Sequence, residues 1–191
     1  MILGITGGTG CGKTTLLNLI AQKGGVILDC DAIYHRLLET DNALLAAIEA
    51  RFPGTVENGA LQRKKLGAIV FSDPQALQDL NRITHGAVKA EVLRLLPPPP
   101  ALAAIDAIGL FESGLSELCQ LTVAITAPRE ARIARLMARD NISREYASSR
   151  IDAQPNSEEF AARCDVTLEN DSTAQDFQDK CLAFFRKFSI I

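Results

Sequence analysis

The sequence contains no tryptophan, and aromatic residues make up only 5% of its 191 positions. Alanine, leucine and isoleucine must therefore fill the core, in a chain long enough for one domain or for a domain with a small lid. The formal net charge is −3, which argues against nucleic acid and acidic membrane surfaces as the main partners. No apolar run reaches the length of a transmembrane helix.

The chain contains cysteines, but their spacing matches no metal-binding motif. The five cysteines are scattered and form no Cys-x-x-Cys pair, so a zinc site is not expected. Their odd number, without a recognisable signal peptide, favours reduced thiols, and we expect a cytoplasmic protein. The basic residues occur in local clusters, which suits a small phosphorylated ligand.

A glycine-rich segment follows the first apolar run of the chain. Residues 7–15 read Gly-Gly-Thr-Gly-Cys-Gly-Lys-Thr-Thr and contain the complete pattern G-x-x-x-x-G-K-[ST]. Residues 2–6 predict a strand before it, and leucines and isoleucine at helical spacing predict a helix after it. This context favours a phosphate-binding P-loop over a glycine turn that only caps a helix.

The chemistry of a P-loop depends on its backbone. Glycines let several N–H groups surround phosphate oxygens, and the helix that follows adds the positive end of its dipole. We expect Lys13 to reach the β- and γ-phosphates of a nucleotide, and the Thr14 hydroxyl to ligate Mg²⁺.

Two carboxylates, Asp29 and Asp31, lie at the end of the second predicted strand, residues 25–29. In a parallel α/β sheet the carboxyl ends of the strands form the ligand-binding edge. Asp31 is therefore predicted to act in catalysis or near Mg²⁺. The alternative is that these acids only cap the helix predicted from residue 32.

A charged helical segment begins near Pro128. Arg132, Arg135 and Arg139 share one face of the predicted helix, and a second helix starts near Ser143. Two helices with arginines on both arms indicate a lid over a triphosphate, with Arg132 expected to pair with solvent or acids. The alternative is a solvated face on which acidic neighbours neutralise these arginines.

Elsewhere the spacing of apolar residues predicts alternating helices and strands, which is typical of an α/β protein. Further helices are predicted over residues 42–52, 73–96 and 174–188, and further strands over residues 101–108, 121–126 and 166–168. A proline run at residues 97–100 ends the long helix. Residues 62–65 form a short basic patch, in which Lys64 and Lys65 are expected on a solvated face.

From residue 2 to about residue 173, the chain resembles the dephospho-coenzyme A kinase family. The resemblance rests on the P-loop and on an ordered series of further motifs. These motifs are residues 29–31 with His35, 62–63, 70–74, 80–85, 110–112, 135–140, 150–154 and 168–170.

The resemblance implies a three-layer P-loop NTPase fold with a parallel sheet. It implies a single domain over residues 1–191, with a helical acceptor-side subdomain at 60–97 and lid-like helices at 128–160. It also implies ATP-dependent phosphorylation of the ribose 3′-hydroxyl of dephospho-coenzyme A (dephospho-CoA), with Mg²⁺, by a monomer or weak homo-oligomer. Two departures from the family pattern, Gly86 and Gly109, predict loosened turns on the acceptor side.

By position, the resemblance implies roles for individual residues. The catalytic residues would be Asp31, Lys13, Arg135 and Arg139. The ATP-binding residues would be Gly8, Gly10, Cys11, Gly12, Lys13, Thr14, Thr15 and, near the adenine, Asn170. The acceptor-binding residues would be Thr6, Asp31, His35, Arg63, His85 and Leu110.

Two other functions remain open at this point. One is a different small-molecule kinase on the same scaffold, acting on a nucleoside, shikimate or gluconate. The other is a nucleotide-binding switch without an acceptor, although the guanine-reading string Asn-Lys-x-Asp of GTPase switches does not occur in the chain.

Overall fold

A computed structural model describes residues 1–99 and 101–190, so the last proline of the run 97–100 lies outside the described residues. The strands are β1 (Ile2–Thr6), β2 (Val26–Asp29), β3 (Val56–Glu57), β4 (Ala60–Leu61), β5 (Ala103–Asp106), β6 (Leu121–Thr126) and β7 (Val166–Glu169). The helices are α1 (Lys13–Gln22), α2 (Cys30–Thr40), α3 (Asn42–Arg51), α4 (Arg63–Val70), α5 (Pro74–Leu95), α6 (Arg129–Asp140), α7 (Arg144–Asp152), α8 (Ser157–Arg163) and α9 (Ala174–Lys187).

Within the described residues, five strands form one parallel sheet in the order β2-β5-β1-β6-β7. The carboxyl ends of β2, β5 and β1 therefore meet at one edge, because parallel strands share a direction. In the registers of these pairs, Asp106 lies opposite both Ile5 and Asp29. The predicted α/β fold with a parallel sheet is confirmed, and its central strand is the one that leads into the P-loop.

Helices cover both faces of the sheet, which explains why β1, β5 and β6 are nearly continuous apolar runs. On one face, Leu3 and Ile5 pack with Leu16 of α1 and Phe185 of α9. On the other face, Ile105 packs with residues of α2 to α5. The P-loop is thereby anchored between two cores.

Two helices were not expected from the sequence. Residues 63–70 form α4, which buries Leu66 and Val70, while Lys64 and Lys65 are exposed as predicted. Helix α8 starts at Ser157 with a capping box formed by Asn156 and Glu159. Gly86 lies within α5 rather than in a turn, so the predicted loosening of a turn there is wrong.

Helices α6 and α7 form the predicted pair of arms. Asn141 ends α6 in the left-handed conformation, with φ of 51°, and Ser143 caps α7 by accepting a hydrogen bond from the Tyr146 N–H. The two helices share a small core of their own, which consists of Ile133, Leu136, Ala147 and Ile151. The pair can therefore be held as one unit above the P-loop.

Candidate active site

The glycine-rich loop after β1 forms one wall of a cavity of about 830 Å³. Gly7 and Gly12 have φ of 137° and 99°, and a side chain at either position would collide with the Ile125 carbonyl or the Asn170 amide. The predicted P-loop residues that line the cavity are Gly8, Gly10, Cys11, Gly12, Lys13 and Thr14. Thr15 lies one position further along α1, where its N–H donates to the Gly12 carbonyl at 3.1 Å.

The lysine of the motif is held against its own loop. Lys13 Nζ donates to the Gly7 carbonyl at 2.8 Å and lies 4.0 Å from Asp106 Oδ1. The side chain is only 15% exposed, so its charge acts in a partly desolvated site where electrostatic interactions are strong. Thr14, by contrast, is exposed at the N-terminus of α1 and turns toward the same cavity.

Asp106 is a residue of the site that was not predicted from the sequence. It ends β5, lines the cavity, and its buried Oδ1 atom has no hydrogen-bond partner among the described residues. Burial raises the pKa of Asp106 from 3.8 to about 6, Lys13 opposes that rise, and Asp29 and Asp31 add to it. A carboxylate that closes an otherwise apolar run of β5 was the available signal in the sequence.

The structure separates the roles of the two acids after β2. Asp29 is the N-cap of α2, and its Oδ1 accepts from the Ala32 N–H at 3.0 Å. Asp31 lies in the first turn of α2, exposed, and lines the P-loop cavity. The capping role therefore belongs to Asp29, and Asp31 is left facing the cavity.

A second cavity, of about 220 Å³, lies between α2, α5 and the loop after β5. Asp31 lines this cavity as well, together with Tyr34, Thr84, His85 and Ile108. The lining is largely apolar, with a few polar groups, as is usual for small-molecule sites. Asp31 and Ile108 are shared by the two cavities, so the cavities meet there.

Four further residues predicted to contact the acceptor occupy different surroundings. Arg63 and His35 are exposed and lie together, with Arg63 Nη2 3.4 Å from His35 Nδ1. Thr6 and Leu110 are fully buried. The Thr6 hydroxyl donates to the Ile108 carbonyl at 3.1 Å, and Leu110 packs beneath the same loop, so both support the cavity wall from behind.

Arginines of α6 and α7 line the P-loop cavity with different partners. Arg135 donates to the Gly10 carbonyl at 3.3 Å and to Asn170 Oδ1 at 3.1 Å. Arg139 donates to both carboxylate oxygens of Asp140, at 2.7 and 2.9 Å, and Arg150 donates to the same carboxylate at 2.7 Å. All three arginines line the P-loop cavity. Hydrogen bonds from Arg139 and Arg150 lower the pKa of Asp140 to about 2.

Asn170 is part of the support of the loop. Its Nδ2 donates to the Cys11 carbonyl at 2.9 Å, its backbone N–H donates to the Thr126 carbonyl at 2.8 Å, and its side chain is buried. Cys11 is also buried, and burial raises the pKa of its thiol. Cys11 thus acts as a small residue that fills the core beneath the loop.

Arg132 was expected to pair with solvent or acids, and that expectation is wrong. The residue is only 4% exposed, and its Nε donates to the Thr9 carbonyl at 2.9 Å. Gln154 lies on the other side of Thr9 and accepts from its N–H at 2.7 Å. Neither contact follows from local sequence, since each partner is more than 120 residues away from Thr9.

No group of three or more His, Cys, Asp or Glu residues that could by itself hold a metal ion occurs in residues 1–99 and 101–190. The same residues also contain no helix that is long and apolar enough to cross a membrane.

Comparison with known proteins gives a consistent family. The family model for dephospho-CoA kinase (CoaE) matches residues 1–176. A dephospho-CoA kinase of Syntrophotalea carbinolica is 34% identical over 194 residues, covering 98% of this chain and 92% of its own length. One of Anaeromyxobacter dehalogenans is 39% identical over 175 residues, covering 88% of this chain and 83% of its own length.

Solved structures agree with these relatives. A protein from Thermus thermophilus superposes with a TM-score of 0.80 at 34% identity, with 98% of this chain and 96% of that chain covered. A dephospho-CoA kinase from Campylobacter jejuni gives a TM-score of 0.69 at 27% identity, with the same shares covered. A shikimate kinase from Bacteroides thetaiotaomicron gives 0.59 at 15% identity, with 99% of this chain and 98% of that chain covered, and shows only that the fold is shared.

Proposed function

This chain belongs to the dephospho-CoA kinase family, whose members transfer phosphate from ATP, and we propose that it phosphorylates the ribose 3′-hydroxyl of dephospho-CoA. That reaction is the final step of coenzyme A synthesis. The observation that carries the proposal is the position of Asp31, which lines both the P-loop cavity and the cavity between α2 and α5. An acceptor in the smaller cavity can therefore present a hydroxyl to a phosphoryl group in the larger one.

The P-loop side of the site supplies groups suited to a triphosphate. The loop N–H groups and the N-terminus of α1 suit phosphate oxygens, and Lys13 neutralises charge shared by the β- and γ-phosphates. Arg135 and Arg139 reach the same cavity from α6. Positioning and charge neutralisation carry most of the rate in such transfers, so these residues account for the phosphate chemistry.

Mg²⁺ belongs to the proposal because two oxygen groups in the P-loop cavity fit it. Asp106 has a buried carboxylate oxygen without a partner, and the Thr14 hydroxyl lines the same cavity. Magnesium usually takes one or two protein oxygens and completes its coordination with phosphates and water, so a larger protein cluster is not needed. When bound, the ion would neutralise charge that develops on the transferred group.

On the acceptor side, Asp31 would accept a hydrogen bond from the 3′-hydroxyl and hold it in line with the γ-phosphate. The mainly apolar cavity, with Tyr34 and His85 in its wall, suits a flat base attached to a polar sugar. Arg63 and His35 lie together outside this lining and would contact a more distant part of the acceptor.

Cellular setting and assembly are part of the same proposal. The five cysteines are free, which favours the cytoplasm. A monomer or weak homo-oligomer without nucleic-acid or membrane partners remains the expectation. Light scattering of the purified protein measures the assembly state.

The decisive experiment measures ADP release in a coupled assay with and without dephospho-CoA, and identifies the product by mass spectrometry. We expect acceptor-dependent ADP release and one added phosphate on dephospho-CoA. The same assay with a nucleoside, shikimate and gluconate is the comparison. A better acceptor among these would overturn the substrate, and ADP release without any phosphorylated product would favour a nucleotide switch.

A further inference from the structure

Side chains from α6 and from the segment after α7 hold one residue of the P-loop, Thr9, on both sides. Thr9 donates its backbone N–H to Gln154 Oε1 at 2.7 Å, and its carbonyl accepts from Arg132 Nε at 2.9 Å. Arg132 belongs to α6, and Gln154 follows α7 by two positions. Both polar groups of a single loop residue are therefore satisfied by side chains of the α6–α7 unit.

The first half of the loop also packs closely against Arg132. A side chain on Gly8 would collide with Arg132 Nη2, and one on Gly10 would approach the Arg132 carbonyl to 2.9 Å. Gly8 and Gly10 are variable positions of the general P-loop pattern, which demands glycine only at residues 7 and 12. The guanidinium of Arg132 therefore leaves no room for a side chain at Gly8, whereas Gly10 is favoured by its φ of 77° and by the nearby backbone of α6.

The burial of Arg132 destabilises the fold. The residue is 4% exposed, and its Nη2 atom is buried without a hydrogen-bond partner among the described residues. Burial lowers the pKa of the guanidinium accordingly. A buried donor that lacks a partner destabilises a fold, so stability alone does not account for an arginine at this position.

We propose that Arg132 and Gln154 form a clamp on Thr9 that couples the position of the lid helices to the shape of the phosphate-binding loop. Both are positioning residues: Arg132 touches the loop from behind, and Gln154 acts through the Thr9 N–H. The clamp fixes the two peptide groups that flank Thr9, so the N–H cradle holds its phosphate-binding geometry only while α6 and α7 are in place. The inference deepens the proposed kinase function and rests on it for the turnover measurements.

The test compares Arg132→Met, Arg132→Lys, Gln154→Ala and the double variant Arg132→Met/Gln154→Ala. Arg129→Met is the matched control, because Arg129 lies on the same helix and links α6 to Asp152 of α7 without touching the P-loop. For each protein we would measure kcat and KM for ATP, the Kd for ADP by calorimetry, and the melting temperature.

If the clamp operates, Arg132→Met and Gln154→Ala each lower kcat/KM for ATP by about 10- to 10²-fold, as expected when a phosphate cradle is misplaced by a fraction of an ångström. The double variant loses about as much as the more impaired single variant, because both changes release the same residue, Thr9. Arg132→Lys recovers most of the activity, since its ammonium group can still donate to the Thr9 carbonyl. Arg129→Met behaves as wild type.

The melting temperature separates this role from a purely structural one. Arg132→Met removes the unpartnered buried Nη2 donor together with the donor to the Thr9 carbonyl, so its melting temperature should change little while kcat/KM falls. A melting temperature that falls in parallel with activity, multiplicative losses in the double variant, or unchanged kinetics would each overturn the clamp. The Kd for ADP is independent of the acceptor, so weakened ADP binding in these variants supports the clamp even if dephospho-CoA proves not to be the substrate.

Discussion

Replacing Asp106 by asparagine should make the protein more stable and less active at the same time. The side chain ends β5 beside Lys13, is 17% exposed, and carries a buried oxygen without a partner among the described residues. Asparagine keeps the size of the side chain and removes its charge. The variant therefore separates the cost of burying the carboxylate from the chemistry that the carboxylate serves.

The size of the stability gain follows from the pKa of Asp106, which burial raises from 3.8 to about 6. Below pH 3.8 Asp106 is protonated in both the folded and the unfolded state, so its burial does not lower the free energy of unfolding through the charge. Between these two values only the folded state holds the proton, so stability falls as the pH rises, and above about pH 6 the full cost is present. At about 1.4 kcal/mol per pKa unit, that cost is at most about 3 kcal/mol.

Differential scanning fluorimetry of the wild type and Asp106→Asn between pH 4 and pH 8 measures this effect. For a chain of this length about 1 kcal/mol corresponds to roughly 2–4 °C, so the variant should melt up to about 6–12 °C higher above pH 6. The difference should shrink toward zero as the pH approaches 4. Turnover of the same variant at pH 7.5 should fall by about 10²–10³, the usual effect of losing one preorganised charge contact.

Two results would refute this reasoning. A lower melting temperature for Asp106→Asn at pH 7.5 would mean that the ionised carboxylate is well paired, and that Lys13 outweighs the desolvation. Near-native turnover would remove Asp106 from the proposed Mg²⁺ site. As a control, Asp79→Asn changes an acid of similar exposure on α5 that pairs with Arg51 and lines neither cavity of the site, so it should leave turnover unchanged.

Three further substitutions test neighbouring groups. Lys13→Ala should lower turnover by about 10²–10³, because it removes the charge that the β- and γ-phosphates share, and near-native activity would contradict its assignment. Asp31→Asn should lower kcat by about 10²–10⁴ with little change in KM for ATP, the range expected for removal of a general base, whereas native kcat would leave Asp31 without a catalytic role. Asp29→Ala should cost about 1 kcal/mol of unfolding free energy by loss of the α2 cap, and an unchanged denaturation midpoint would argue against that cap.

Local sequence was sufficient for everything that depends on neighbours along the chain. The P-loop is contiguous, so its strand, its glycines and the helix from Lys13 could be predicted from residues 2–20 alone. The alternation of apolar strands and helices likewise predicted the α/β fold, and the break near Asn141 followed from turn-forming residues. Helix α8 was not predicted because it is short and mostly polar. Helix α4 was not predicted because its basic start was interpreted only as a solvated face.

Relations between distant segments were decided only by the tertiary structure. Asp106 reaches Lys13 because β5 inserts between β2 and β1, a strand order that no local pattern of residues specifies. Arg132 shares a predicted helix face with Arg135 and Arg139. In the structure Arg132, in the first turn of α6, is buried against Thr9, whereas Arg139, in the last turn, stays exposed and pairs with Asp140. The sequence by itself determined which phosphate-binding elements exist, and packing across the sheet decided which charges meet there.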